Sequence, residues 1–436
     1  MHHLGVSKIK ILRDMIMNIF SVLRAYLGFA CLLTSMMCVG EISIVKQAPV
    51  TIGAELVLKS SILKKEITIK ISVPDSFEFS SVSHSYPIIF IVGAHGNEFF
   101  HAVSGMVKHL ADVERMPETL VVGISGDNPS PDIYHNGMWG EQEHDKWSSW
   151  GEPAKYNVFY KKELLPFLKA RYRANDSRTV VGISGGSFFP LHNLTQTDNL
   201  FDTYVFLAAA DVIGMGYSPD STLIDALVTR LTDDSKVKPM VFFAVASDDV
   251  NGDKRYQANV DELASRLSHV KKLPFSAKVY ENEGHYDALL KAMLDVIELK
   301  YPKHIWSARY RDIVAKPGNA LENLDKYYKL LSERYGFAIH PRATRWNGVN
   351  RLGFISTHLI NLNRAEEAVE VARRYTQYQA KSWQAYEALA KALEANGNIV
   401  KAIVTTKIAL ELTDTDMNRI ELQKYLVKLN AQVVGD

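Results

Sequence analysis

The chain has 436 residues, 47% of them hydrophobic, enough for one large α/β domain and a smaller second one. Fifty Lys and Arg balance forty-nine Asp and Glu, leaving a formal net charge of +1. That balance argues against a basic field for nucleic acid and against an acidic disordered tail, so a small or neutral molecule is the expected partner.

At the N-terminus, Arg24 precedes the apolar run "AYLGFACLLTSMMCVG" (Ala25–Gly40). Its core matches the apolar region of a signal peptide and is short for a membrane span of about 20 residues. Residues 1–40 are therefore read as a signal peptide or membrane anchor, and the rest as exported to the periplasm or secreted. Both cysteines, Cys31 and Cys38, fall inside this run. The remainder then has no thiol chemistry, thiolate metal site or disulfide.

From Ala54 to Val73 the sequence predicts two strands around a polar connection, the second alternating as Ile67, Ile69, Ile71 and Val73. "YPIIFIVG" (Tyr86–Gly93) and "TLVVGIS" (Thr119–Ser125) are short, wholly apolar runs typical of strands buried on both faces. A helical pattern, His101–Val113, lies between them. A second helical pattern, Phe159–Tyr172, leads to further strands at Thr179–Ser184, Tyr204–Ala210 and Pro239–Ala246. Strand–helix alternation of this length predicts an α/β fold with a doubly wound sheet over residues 41–303.

Beyond residue 303 strand signals stop, and 304–436 read as an all-α region. Ile355 and Leu389, Leu359 and Leu393, Ala368 and Ala402, and Val369 and Ile403 are like residues separated by a constant interval of about 34, with Asn396-Gly397 at a turn position. This period is the tetratricopeptide signature. Two repeats do not stand alone, so Leu321–Tyr335 and Arg419–Leu429 are expected to cap or dock them.

The hexapeptide "VVGISG" occurs twice, ending in Ser125 and Ser184 followed by glycine. A nucleophile elbow doubles the backbone back on itself, so residues two before and two after the serine must be nearly free of side chains. Gly182-Ile183-Ser184-Gly185-Gly186 meets this requirement. Around Ser125, Asp127 occupies the tight position and "NPSP" cannot open a helix directly. Ser184 is the nucleophile candidate.

A serine hydroxyl needs a histidine to take its proton and commonly an acid to orient that histidine. Downstream, a buried strand empties into Asp248-Asp249, and Gly284-His285 follows the last strand at the expected start of a helix. His285 is the candidate base and Asp249 the candidate acid, with Asp248 as backup and Asp211 as an outside choice. Oxyanion donors are expected from the backbone of Gly185 and of Ala94 or His95, after the Tyr86–Gly93 strand.

Taken in order, "LVLKSSILKKEITIKISVP", "YPIIFIVG", "MPETLVVGI", "SRTVVGISGGS", "FFAVASDD" and "EGHYDALL" resemble the esterase D-like branch of α/β hydrolases, the Putative esterase family, from about Ala54 to Tyr301. That group includes siderophore esterases, feruloyl esterases and mycolyltransferases. The resemblance implies a serine-dependent ester hydrolase in which Ser184 and His285 match nucleophile and base. Some members work without an essential acid, which makes Asp249 the softest assignment. The helical tail also resembles the repeat domain of some exported members.

Three departures border the expected site. Ile183 stands where this group usually carries His, "AAADVIG" replaces a serine- and tryptophan-rich segment, and "GAHGNEFFH" replaces a terminal Asp-Gly. "GAHGNE" is itself similar to the zinc motif of aspartoacylase-type hydrolases, with His95 and Glu98 as ligands and a third from His101, His135 or His144. Against zinc, the later Asn-Arg motif of that family is missing and the serine constellation is left unexplained. No cofactor is expected on the serine reading. Trp139, Trp147 and Trp150, in the 134–153 stretch, are expected to line the substrate pocket with Ile183, or only to pin a long loop. A third reading is an inactive hydrolase scaffold whose repeats bind a protein.

Overall fold

The computed structural model describes residues 52–436 except 82, 94, 95, 97, 126–152, 219–220, 235–236, 307–308, 342–351, 414 and 436; before 52 it describes residues 17, 44 and 47–51. The apolar run Ala25–Gly40 and the tryptophans of the 134–153 stretch lie outside the described residues. Among the described residues no helix is long and apolar enough to cross a membrane.

The predicted N-terminal strands form an antiparallel hairpin, β1 (Ala54–Lys59) with β2 (Glu66–Ser72), in which Ala54 faces Ile71 and Lys59 faces Glu66. Ile67, Ile69 and Ile71 all point inward, as their alternation demands. Next come β3 (Tyr86–Val92), α1 (Phe100–Asp112) and β4 (Leu120–Ser125). Then α2 (Pro153–Phe159) passes through a π-helical turn (Tyr160–Leu164) into α3 (Leu165–Tyr172) and β5 (Ala174–Ile183). A 3₁₀ turn (Ser184–Ser187) leads to α4 (Phe188–Thr195), β6 (Thr203–Leu207) and α5 (Ala210–Ile213). A small hairpin, β7 (Gly216–Ser218) with β8 (Ser221–Thr222), precedes α6 (Leu223–Thr232) and β9 (Met240–Ala246). The sheet body closes with α7 (Ser247–Gly252), α8 (Lys254–Leu267), β10 (Phe275–Tyr280) and α9 (Leu289–Lys300).

Eight strands make one sheet in the order β1-β2-β4-β3-β5-β6-β9-β10. β1, β2 and β4 are antiparallel neighbours, and from β4 to β10 the sheet is parallel. Every residue of β3 is buried because both faces of the sheet are covered. Tyr86, Ile88, Phe90 and Val92 enter the core shared with α2, α4 and α6, and Ile89 and Ile91 enter the core shared with α1 and α9. This is the expected α/β-hydrolase sheet, with helices on both sides.

Two expectations shift. The strand predicted at Tyr204–Ala210 ends at Leu207, because Ala208 turns to φ 50° with its N–H on the Ala244 carbonyl, and Ala210 opens α5. His285 does not open a helix; it lies in the turn before α9, which starts at Leu289.

The remaining elements are helical: α10 (Lys303–Trp306), α11 (Tyr310–Val314), α12 (Ala320–Tyr335), α13 (Leu352–Asn361), α14 (Ala365–Tyr378), α15 (Trp383–Ala395), α16 (Ile399–Leu412) and α17 (Asp416–Gly435). Leu359, Leu393, Ala368 and Ala402 share one buried core. Asn363, in the turn between α13 and α14, and Gly397, between α15 and α16, both take left-handed backbone (φ 56° and 74°). The two helix pairs thus turn at corresponding places. α12 packs on α14 and α17 on α16, where end-covering helices were expected. Sheet and tail belong to one compact unit, Ile52–Asp436. They are tied at Ser81, whose N–H donates to the Tyr378 carbonyl (2.8 Å), and at Tyr301, whose ring lies 5.5 Å from that of Trp306 and 5.1 Å from that of Tyr335.

Candidate active site

The carboxyl ends of β3, β5, β6, β9 and β10 converge on one rim of the sheet, the edge where open α/β sheets hold ligands. β5 ends at Ile183 and the chain reverses at Ser184, which has φ 50°. A left-handed conformation at a serine costs on the order of 1–3 kcal/mol and persists only where its surroundings enforce it. The enforcement is visible in the neighbouring glycines. A Cβ on Gly182 would stand 2.7 Å from the Ser187 Cα, and one on Gly186 would stand 2.6 Å from the Val92 carbonyl oxygen. Gly93, at φ 94°, closes on Gly186 from the end of β3. The elbow and the loop after β3 therefore touch backbone to backbone.

His285 stands in the turn after β10. The N–H of Gly284 donates to Asp287 Oδ2 (3.2 Å) and the N–H of Asp287 donates to the Gly284 carbonyl (3.0 Å), which fixes that turn. Both oxygens of the Asp249 carboxylate meet His285 Nδ1, at 2.9 and 3.0 Å. Asp249 comes from the first turn of α7, directly after β9. Its neighbour Asp248 instead gives its backbone N–H to the Glu283 carbonyl (3.3 Å), stitching the β9 and β10 ends together. The imidazole is thus oriented by Asp249, with Nδ1 as the donor nitrogen and Nε2 left as the basic one.

Asp211, at the start of α5, lies within the electrostatic reach of both His285 and Asp249. Burial pushes its carboxyl above the ordinary value, against backbone N–H groups that favour the charged form. Among the described residues, the carboxylate hydrogen-bonded to His285 is that of Asp249. Two residues missed by sequence reasoning form an aromatic chain from the histidine. The Tyr286 ring stands edge-on to His285 at 4.6 Å, and the Phe99 ring lies 5.8 Å from Tyr286. Tyr286 was readable as the neighbour of His285; nothing local in the sequence marks Phe99.

Among the other expected site residues, Gly185 follows Ser184 within the 3₁₀ turn. Ile183 is buried in the core shared with α1 and α9. Ala94 and His95, and with them the second oxyanion donor and one zinc ligand, lie outside the described residues, as do Trp139, Trp147 and Trp150. Glu98 is exposed. Among the described residues no three His, Cys, Asp or Glu side chains gather as a metal site. The side chain of Ser125, the rival serine, also lies outside the description, although its backbone ends β4 opposite Thr68.

A family model described as "Putative esterase" matches residues 60–289, more than half of the chain. No curated protein matches. Among solved structures, an IroE-like serine hydrolase from Shewanella oneidensis is 20% identical, with 73% of this chain and 96% of that one covered at a TM-score of 0.55. It shares the fold. A protein from Capnocytophaga ochracea covers 87% of this chain and 99% of its own, at 16% identity and a TM-score of 0.49. The enterobactin esterase FES from Shigella flexneri aligns over 59% of this chain and 62% of its own, at 16% identity and a TM-score of 0.42.

Proposed function

Because the chain belongs to the Putative esterase family and is an ester hydrolase, we propose that it works through an acyl-enzyme on Ser184, with His285 as general base and Asp249 as the acid that orients it. The observation that carries this reading is the Asp249 carboxylate on His285 Nδ1, at 2.9 and 3.0 Å. With Nδ1–H donating to Asp249, Nε2 holds the lone pair that accepts the Ser184 proton as Oγ attacks the ester carbonyl carbon. The carbonyl oxygen becomes an oxyanion, facing the N–H of Gly185 and a second donor in the loop after β3. Collapse of this intermediate expels the alcohol, which takes the proton back from Nε2. Water then repeats the sequence on the acyl-enzyme, Nε2 taking its proton, and the acid leaves as Oγ–H reforms.

In this reading residues 41–303 carry the chemistry and 304–436 form a tetratricopeptide-like tail, supported by the corresponding left-handed turns at Asn363 and Gly397. The apolar run Ala25–Gly40 after Arg24 supports export. The test is fluorophosphonate labelling and p-nitrophenyl acetate turnover of the protein beside Ser184→Ala and Ser125→Ala, with and without a chelator. Loss of both signals only in Ser184→Ala, indifferent to the chelator, is the expected result. Turnover that the chelator abolishes, without labelling, would overturn it in favour of the loop holding His95 and Glu98.

A further inference from the structure

A cavity of about 60 Å³ lies at the other end of β3 from the candidate active site, where Tyr86 and Pro87 of the sheet body meet the helical tail. Five aromatic side chains line it: Tyr86 from β3, Trp306 from α10, Tyr327 and Tyr328 from α12, and Phe337. Among the described residues its charged lining side chains are two carboxylates, Glu114 and Glu118. Glu118 accepts a hydrogen bond from Ser76 (2.7 Å). Burial first raises the Tyr86 hydroxyl pKa and the field of Glu118 adds to it, with Arg173 opposing; burial first and then the field of Glu114 raise that of Tyr327. Both carboxylates are therefore felt at the cavity wall.

Gln379 supplies an independent observation. It is 1% exposed and lines the same cavity, yet among the described residues its Oε1 has no hydrogen-bond partner. Its backbone is satisfied, with its N–H on the Tyr375 carbonyl (2.9 Å) and its carbonyl accepting from Ser382 N (3.0 Å). A buried amide oxygen without a donor is costly, so a donor entering the cavity is favoured there. The remaining titratable walls, His84 and His340, do not offset the carboxylates. Burial and neighbouring positive groups, Arg173 for His84 and Arg374 for His340, hold both imidazoles neutral near pH 7.

We propose that this cavity binds a small organic ammonium ion, its N–H on Gln379 Oε1 and its charge held by Glu114, Glu118 and the surrounding aromatic rings. Aromatic faces attract cations, most strongly where water is excluded. At roughly 10–15 Å³ per water-sized occupant, the volume admits an ion of about five heavy atoms. Bound there, it bridges the sheet body and the tail.

The test is isothermal titration of the full chain at pH 7.5 with tert-butylammonium chloride and with tert-butanol, which is of the same shape and neutral. Gln379→Met keeps the side-chain length and removes the acceptor; Glu118→Gln removes a charge. Glu114→Gln stands in for Glu118→Gln if losing the Ser76 partner prevents folding, as read by circular dichroism. The expected result is saturable binding of the cation, with the alcohol and each folded variant at least about tenfold weaker. Equal binding of cation and alcohol, no binding of the cation, or cation binding that the folded variants leave unchanged would each overturn the assignment.

Discussion

His84 makes the junction between sheet body and tail sensitive to acid. Its ring lies 4.4 Å from that of His340 and 5.3 Å from that of Tyr378, with Nδ1 3.1 Å from the Ser81 hydroxyl. Burial first, then the fields of His340 and Arg173, lower its pKa from 6.5 to about 4. Between these values the unfolded chain binds a proton that the folded chain refuses. The contribution to stability is therefore complete above pH 6.5 and is lost as pH falls through 4. A shift of that size corresponds to about 3 kcal/mol as an upper bound. Burial and Arg374 lower His340 as well, so it acts in the same direction. Urea unfolding at intervals from pH 4 to 8 measures the slope, with His84→Phe as the comparison because it keeps a ring against His340 and Tyr378 and cannot titrate. Wild type should lose up to about 3 kcal/mol more than the variant across this range. Superimposable pH profiles of the two proteins would refute the argument.

Three further outcomes follow from the geometry. Asp249→Asn should lower kcat/KM for p-nitrophenyl acetate by about 10²–10⁴ with a small change in Tm, since the amide cannot hold the same imidazole tautomer; steady-state kinetics beside a thermal melt checks both halves. Gly186→Ala places a Cβ 2.6 Å from the Val92 carbonyl oxygen and should destabilise by about 1–3 kcal/mol, with loss of activity as β3 and the elbow are forced apart. Leu359→Ala opens a void in the tail core and should cost about 2–5 kcal/mol; hydrogen exchange should report it first in α13 to α16 while esterase activity at 25 °C persists.

The central strands could be read from sequence because both faces of the sheet are covered. "YPIIFIV" and "TVVGI" have no polar side to disguise them, and the hairpin β1–β2 showed its alternation. The end of β6 could not be read. Alanine suits strand and helix alike, so "LAAAD" hides the point where Ala208 turns to positive φ. The sequence ranked Asp249 over Asp248 without a local pattern to decide between them. Consecutive residues of a helix point about 100° apart, so which one meets His285 depends on where α7 begins. The π-helical turn at Tyr160–Leu164 has no periodic signature of its own. The His84–His340 contact joins segments far apart in the chain, through a neutral ring pair that no local pattern announces.

The positive φ of Ser184 bears on how this protein would age under mutation. Glycine is the residue that fits such a backbone without cost, so Ser184→Gly should leave the fold as stable as before or more so. Drift toward stability alone would therefore erase the hydroxyl without harming the scaffold around it. A serine at this corner is a liability to folding, and selection for folding alone gives it no protection. On the proposed mechanism, copies of this gene that have lost their chemistry should carry a glycine here long before their sheets begin to fail.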